Sequence, residues 1–271
     1  MSFDSELLNP IDVGALRESA AKTQSFPYFY IDNFLKDDFA REVHDAFPSY
    51  NAALGMGRTF NSVNESKKIQ VTDSSLFPKP IARLNKLLSS DQFIEKLSYI
   101  LDIPDLIADP ALEGGGIHET KGGGRLDVHV DFNFNEDLGL YRRVNILLYF
   151  NKNWKKEYGG ILDLWDSDVM ECHAEILPIF NRMACFATSE ISYHGVTPIK
   201  CPENEVRKSF AMYYYTKDAP DEWKSEHHST IFKSRPHEWM QANINMPVEG
   251  AKRKAGFYLR SIKNTIKRII K

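Results

Sequence analysis

At 271 residues, with 42% apolar and 26% charged side chains, the composition is ordinary for a globular chain with a sizeable core, and no stretch is apolar enough to cross a bilayer as a helix. The net charge of −3 hides a split, because residues 251–271 hold eight Lys or Arg and no acid, leaving −11 on the rest. An acidic body of this kind gives no support for nucleic-acid binding.

Three cysteines, Cys172, Cys185 and Cys201, are an odd number without C-x-x-C spacing, which points to free thiols and a reducing compartment such as the cytoplasm. The opening MSFDSELLNP carries acids and no apolar run, so it does not read as a signal peptide. The first third reads as mostly helical apart from one short strand, FPYFYIDNF at 26–34, which is aromatic and β-branched. Asp37 and Asp38 open a helix with Phe39, Val43, Ala46 and Phe47 on one face, ended by Pro48. Residues 51–75 are polar and contain glycine, which predicts a loop able to act as a cover. The prolines of PKPIARLNKLL suit a first helical turn. Asp91 begins a second helix carrying Phe93, Ile94, Leu97 and Leu101, and Pro104 stops it.

From about residue 112 the apolar period changes from near four to two. Strands are predicted at 116–120, 125–132, 143–150, 160–166, 174–178, 182–188, 191–197 and 207–215. Gly122–Gly124 read as a turn, not a phosphate loop, since no helix signal follows them. Many short strands separated by turn signals argue for a sandwich or barrel. Beyond residue 220 the chain reads as irregular, then helical at its end.

In LDVHVDF (126–132), strand alternation turns His129 and Asp131 to one face and Leu126, Val128, Val130 and Phe132 to the other. The pair makes two thirds of a metal site, although a hydrogen-bonded polar pair at a strand end has the same pattern. His194 in SEISYHGVTPI, 63 residues after Asp131, is the candidate third ligand. Two imidazoles and one carboxylate from different strands bind one face of an octahedral ion and leave positions open, as in non-haem Fe(II) oxygenases. Zinc hydrolases use a similar set, typically within H-E-x-x-H, which is absent here. In VRKSFAMYYYT, alternation puts Arg207, Ser209, Ala211 and Tyr213 on one face and Lys208, Phe210, Met212 and Tyr214 on the other. A guanidinium facing into a barrel needs an anion, and the Arg207 fork with the Ser209 hydroxyl suits a planar carboxylate. Iron with open positions and an arginine for a distant carboxylate together imply 2-oxoglutarate, its keto-acid end on the metal and its other end on Arg207.

The segments GGGRLDVHVDF, RRVNILLYFNKNWKKEYGGILDLWD, RMACFATSEISYHGVTP and RKSFAMYYY, in that order over roughly residues 110–216, resemble the Fe(II)/2-oxoglutarate-dependent dioxygenases of the prolyl 4-hydroxylase-like family. The resemblance implies a mainly β fold with flanking helices, a double-stranded β-helix or cupin-like jelly-roll barrel. It implies iron on His129, Asp131 and His194, and the far carboxylate of 2-oxoglutarate on Arg207. The family's tyrosine ahead of its L/F-N-K-x-W segment, which shares that carboxylate, corresponds to Tyr149. A family tyrosine about ten residues before the first ligand has His118 as its nearest match, which is a departure from the pattern. The interval from His194 to Arg207 is a few residues longer than in compact members, suggesting a loop through KCPENE. Halogenating relatives lack the carboxylate ligand, so Asp131 implies hydroxylation. Asn145 shares a strand face with Tyr149 and is expected either at cosubstrate or substrate, or as a structural amide.

The expected organisation is a support region 1–110, a dioxygenase core 111–217 and a C-terminal extension 218–271. The expected reaction uses Fe(II), 2-oxoglutarate and O2, with ascorbate as reductant, to hydroxylate an unactivated C–H bond. The substrate is a small molecule or amino acid, a prolyl or other peptidyl residue, or a sugar or lipid-linked glycan. A non-catalytic barrel that binds a ligand or partner is the alternative, and iron-dependent succinate formation separates the two. Arg125 and Asp127 are expected near solvent, Trp154, Trp165 and Tyr213–Tyr215 in packing with Tyr213 lining the pocket, and His227, His228 and His237 at the surface or in hydrogen bonds rather than on a second metal. In the tail, Phe257 or Tyr258, Ile262, Ile266, Ile269 and Ile270 fall at helical spacing among Lys263, Lys267, Arg268 and Lys271. That pattern suits an interfacial helix making peripheral membrane contact, or a terminal helix packed on the acidic body.

Overall fold

The structure is a computed structural model that describes residues 6–221, 223, 227–238 and 240–247. Residues 251–271, and with them the expected amphipathic helix and the expected membrane contact, lie outside the described residues.

Helix α1 (Val13–Ala21) precedes strand β1 (Tyr28–Ile31), and α2 (Asp37–Ala46) buries Phe39, Ala40 and Val43. The stretch expected as a loop instead forms α3 (Tyr50–Met56) and an antiparallel hairpin of β2 (Arg58–Phe60) and β3 (Glu65–Val71). Only Ile69, Gln70 and Val71 of β3 are buried, so its first residues carry no apolar alternation from which a strand could be read. Helix α4 (Lys79–Leu88) has proline in its first turn and buries Ile81, Leu84, Leu87 and Leu88. Helix α5 (Asp91–Leu101) is capped by the Ser90 hydroxyl, which accepts the Phe93 N–H at 3.3 Å, and ends on Asp102 in the left-handed region at φ 56°.

The remaining strands are β4 (Ile107–Ala108), β5 (Gly116–Val130), β6 (Phe134–Asn135), β7 (Leu140–Tyr149), β8 (Leu162–Trp165), β9 (Cys172–Ile176), β10 (Arg182–Ala187), β11 (His194–Val196), β12 (Val206–Thr216) and β13 (Ile231–Phe232). Among the described residues all pairings are antiparallel, in one curled sheet whose main path is β1-β10-β7-β12-β5-β11-β8-β9. This is the jelly-roll barrel with flanking helices. The helices cover one face of it, with Phe39, Val43, Leu84 and Leu88 packed in one core with Ile146, Leu148, Phe210 and Met212. Burying each such side chain is worth about 1.5–3 kcal/mol. The inner face packs Tyr149, Leu162, Leu164, Ile176 and Phe186 between the two walls. Trp154 and Trp165 are buried as expected.

Gly122–Gly124 is not a turn. Strand β5 runs straight through it, with Gly123 at φ +82° and no room for a Cβ at Gly124, which would lie 2.8 Å from the Ser66 carbonyl oxygen. The glycines bend the strand so that it changes partners there. Residues Gly116–Lys121 pair with β12, whereas Leu126 and His129 pair with β11. On the other edge β3 gives way to β13. One strand thus serves both walls of the barrel. The strand expected at 191–197 is reduced to β11 because Ser189–Tyr193 turn sharply, the Ser192 hydroxyl donating to the Ser189 carbonyl at 2.9 Å.

Candidate active site

His129 lies at the end of β5, Asp131 just past it, and His194 opens β11 directly opposite His129 in the ladder. A carbonyl oxygen only accepts, so the contacts of His129 Nδ1 to Asp127 O and of His194 Nδ1 to Ser192 O, each 2.9 Å, fix both Nδ1 atoms as donors. With Nδ1 engaged in this way, Nε2 is the nitrogen that each ring offers to a metal in its neutral form. His129 Nε2 and His194 Nε2 each lie 3.5 Å from one oxygen of Asp131, and the three ligand atoms lie within 4.8 Å of one another. Burial first, then His129, pushes His194 down to about 4, so the ring is neutral near pH 7.

Asp131 is held by two further residues. Asn145 donates to its Oδ2 at 2.7 Å, and the Arg142 guanidinium lies 3.2 Å from the same oxygen. Arg142 Nε donates to Asn145 Oδ1 at 3.0 Å, closing a triangle. Burial opposes ionisation of Asp131, yet Arg142, with His194 and His129, holds the carboxyl well below the usual range. Sequence reasoning missed Arg142, and the reason is a β-bulge. Tyr214 pairs with Val144 but Tyr215 pairs with Arg142, so Arg143 is the extra residue. Strict alternation would place Arg142 on the helix side, and the bulge returns it to the face of Asn145. There it lies 3.5 Å over the Tyr213 ring.

A second group of polar residues stands in cross-strand rows on the same face. Gln70, His118, Ser209 and Tyr149 form one row across β3, β5, β12 and β7, and Lys68, Thr120 and Arg207 form the next. Arg207 Nε donates to Gly160 O at 2.7 Å, and its guanidinium lies 5.1 Å from the Tyr149 ring. Arg207 Nη2, Ser209 Oγ and Tyr149 Oη are all buried without a partner. Each unsatisfied buried group costs about 1–3 kcal/mol, so three together mark a seat for a ligand rich in acceptors. Burial raises the Tyr149 phenol and lowers Arg207, each shift being opposed by the other residue. His118 Nε2 lies 2.9 Å from Gly114 O, and burial, then Lys68, keeps its pKa well below the ordinary value.

The metal-type group and, from the second group, Gln70, His118, Lys68, Thr120 and Arg207 line one cavity of about 400 Å³, together with Tyr213, Arg125 and the hairpin residues Arg58, Phe60 and Glu65, while Ser209 and Tyr149 lie buried beside Arg207. Sequence reading had not singled out the hairpin residues. Arg125 and Asp127 differ from expectation. Asp127 is fully buried between Arg125 and Gln241, and Arg125 also pairs with Glu238 at 2.6 Å, because the C-terminal extension folds back over this end of β5. His227 stacks on Phe134 at 3.8 Å, and among the described residues the metal-capable group is His129, Asp131 and His194 alone. The orphaned Arg207, Ser209 and Tyr149 atoms fit a carboxylate, and the two imidazoles with one carboxylate fit a ferrous ion.

A model of the 2OG-Fe(II) oxygenase superfamily matches residues 115–215, the barrel strands that carry both groups. The prolyl 3-hydroxylase OGFOD1 of Mus musculus is 30% identical over 78 residues, 27% of this chain, a stretch that spans 14% of that protein's length. A prolyl-4-hydroxylase from Pseudomonas putida superposes with a TM-score of 0.56 at 17% identity, covering 75% of this chain and 98% of the other. A Trichoplax adhaerens prolyl hydroxylase, solved with a peptide of the hypoxia inducible factor oxygen degradation domain, gives 0.54 at 20% identity, covering 76% and 89%. These two structures share the jelly-roll fold. Residues 115–215 are thus similar to the 2OG-Fe(II) oxygenase superfamily, and the His129, Asp131 and His194 group lies within that stretch.

Proposed function

We propose that the barrel hydroxylates an unactivated C–H bond of a peptidyl substrate, a prolyl residue first among them. The observation that carries the oxygenase reading is a His-Asp-His group in one cavity with Arg207, whose orphaned Nη2 belongs to the strand face that also carries the orphaned oxygens of the cross-strand pair Ser209 and Tyr149. The prolyl substrate is supported by the OGFOD1 similarity and by the hydroxylase that was solved with a peptide.

His129, Asp131 and His194 would hold the ferrous ion, and Arg207, Ser209 and Tyr149 the far carboxylate of 2-oxoglutarate. The bound ion would supply O2 activation, with 2-oxoglutarate, O2 and substrate R–H giving succinate, CO2 and R–OH. The protein's own contribution is placement. Backbone carbonyls aim the two imidazoles, and Arg142 with Asn145 keeps Asp131 ionised and oriented. Leu147, Leu162 and Val196 give the chamber an apolar wall, beside which polar contacts are stronger than in water. The reading is tested by iron-dependent conversion of 2-oxoglutarate to succinate in purified protein, first alone and then with proline-containing peptides. His129→Ala, Asp131→Ala and His194→Ala should each abolish turnover, and normal turnover in His194→Ala would sink the ligand assignment. Peptides that neither stimulate succinate formation nor gain an oxygen by mass spectrometry would remove the prolyl proposal alone.

A further inference from the structure

The stretch from His228 to Glu238 lies along the edge of the segment that carries His129 and Asp131. Asn133 donates its N–H to His228 O at 3.4 Å, and the His228 N–H reaches Asn133 Oδ1 at 2.9 Å. Ile231 and Phe232 then pair with Val130 and His129, and the Lys233 N–H reaches Val128 O at 2.8 Å. His129 therefore has a cross-strand neighbour on each side, His194 on one and Phe232 on the other. The Phe232 ring stands 5.4 Å from that of His129 and lines the cavity with Thr230.

Arg235 fastens this stretch. It is 2% exposed, and its Nε and Nη2 donate to the equally buried Asp163 carboxylate at 2.6 and 3.0 Å. Asp163 lies in β8 directly opposite Gly195, the residue after His194. A Cβ at Gly195 would sit 2.8 Å from Arg235 Nη2, so the guanidinium rests against the bare backbone beside His194. The chain of charge continues from Arg235 through Glu238 and Arg125 to Asp127, whose carbonyl holds His129 Nδ1. A doubly bonded, buried ion pair of this kind holds its two strands in one geometry.

Resting on the metal-site reading above, we propose that residues 228–238 form a latched wall of the metal chamber. Arg235 is a positioning residue: it clamps the His194 strand, through Asp163 and Gly195, against the His129 strand, through β13. Phe232 is a specificity-determining residue that restricts what reaches the metal from its side.

The test uses the full chain with Co(II) as the metal and azide as a small probe of access. Asp163→Asn combined with Arg235→Gln keeps a hydrogen-bonded pair without charge, and Arg235→Lys keeps the charge without the fork. In the neutral pair, amide exchange of residues 128–133 in the metal-free protein should accelerate. Its Co(II) binding should weaken by roughly tenfold or more with a changed visible spectrum, as for other residues that orient metal ligands, and Arg235→Lys should recover part of it. Phe232→Ala should keep Co(II) affinity and bind azide more tightly than the parent. Parental exchange and Co(II) affinity in the neutral pair would overturn the latch, and parental azide binding in Phe232→Ala would overturn the wall. A parent chain that takes up no Co(II), or keeps it in His129→Ala, would overturn the metal-site reading and this proposal with it.

Discussion

Arg207→Lys isolates the carboxylate seat. Arg207 is 4% exposed, spends its Nε on the Gly160 carbonyl at 2.7 Å, and leaves Nη2 without a partner beside the equally orphaned Ser209 and Tyr149 oxygens. Lysine retains a positive charge but offers one ammonium in place of a fork, and it gives up the Gly160 bond or the ligand bond. Loss of a hydrogen bond to a charged group is worth about 1.5–3 kcal/mol, so the 2-oxoglutarate requirement should rise roughly 10- to 150-fold. Burial also lowers the pKa of the substituted lysine, so the requirement should grow further as pH rises. Tyr149→Phe removes one neutral hydrogen bond, about 0.5–1.5 kcal/mol, and should cost roughly 2- to 10-fold. The assay is succinate formation across a 2-oxoglutarate titration, with anaerobic Fe(II) binding measured in parallel and expected to hold. An unchanged requirement in both variants, or loss of iron binding in Arg207→Lys, would refute the placement of the cosubstrate.

Three other outcomes follow from charges around the cavity and beneath the sheet. Arg142→Met removes the cation 3.2 Å from Asp131, so Fe(II) affinity should fall by roughly tenfold and the acid limit of iron binding should move to higher pH, read by Fe(II) titration at several pH values. His194 is held at about 4 against an ordinary 6.5, so the unfolded chain takes up its proton first as pH falls. Metal-free protein should therefore lose stability between those values, with a flatter profile in His194→Asn, measured by denaturant midpoints. Glu119 is buried with both oxygens unpartnered and is pushed up to about 7 by burial against Lys208 and Lys121. Its native form keeps the proton longer than the unfolded one, so stability is lost as pH rises through about 7. Glu119→Gln should raise the Tm at about pH 8 and leave it nearly unchanged at about pH 4, below the ordinary carboxyl value, the sign that linkage dictates.

The site residues that could be read from the sequence sit where alternation is intact. His129 and Asp131, and Arg207, Ser209 and Tyr213, share the faces that a period of two assigns them, since β5 beyond its glycines and β12 run regularly. Arg142 escaped because one extra residue in β7 inverts the parity before it, and a bulge leaves no trace in apolar spacing. Arg58 and Lys68 escaped because β2 is only three residues long and the start of β3 is polar on both faces, so their strand character comes from pairing and not from pattern. Phe232 was beyond reach for another reason. Its strand has two residues, and its partner His129 lies in a segment remote in the chain, a register set only by tertiary packing.

The bent strand β5 also works as a gauge of length. His118 and Thr120, the neighbours of Ser209 and Arg207, share an uninterrupted backbone with His129. The span from carboxylate seat to metal is thus written into a covalent spacer and does not depend on how separate loops happen to settle. That spacer is intolerant in a way the KCPENE loop is not. One residue added or removed among Gly122–Gly124 would turn every following side chain of the strand to the opposite face, so His129 and Asp131 would point away from the cavity while Arg207 stayed where it is. The reach of the diacid that fits, and the strand's parity, are set by the same few glycines.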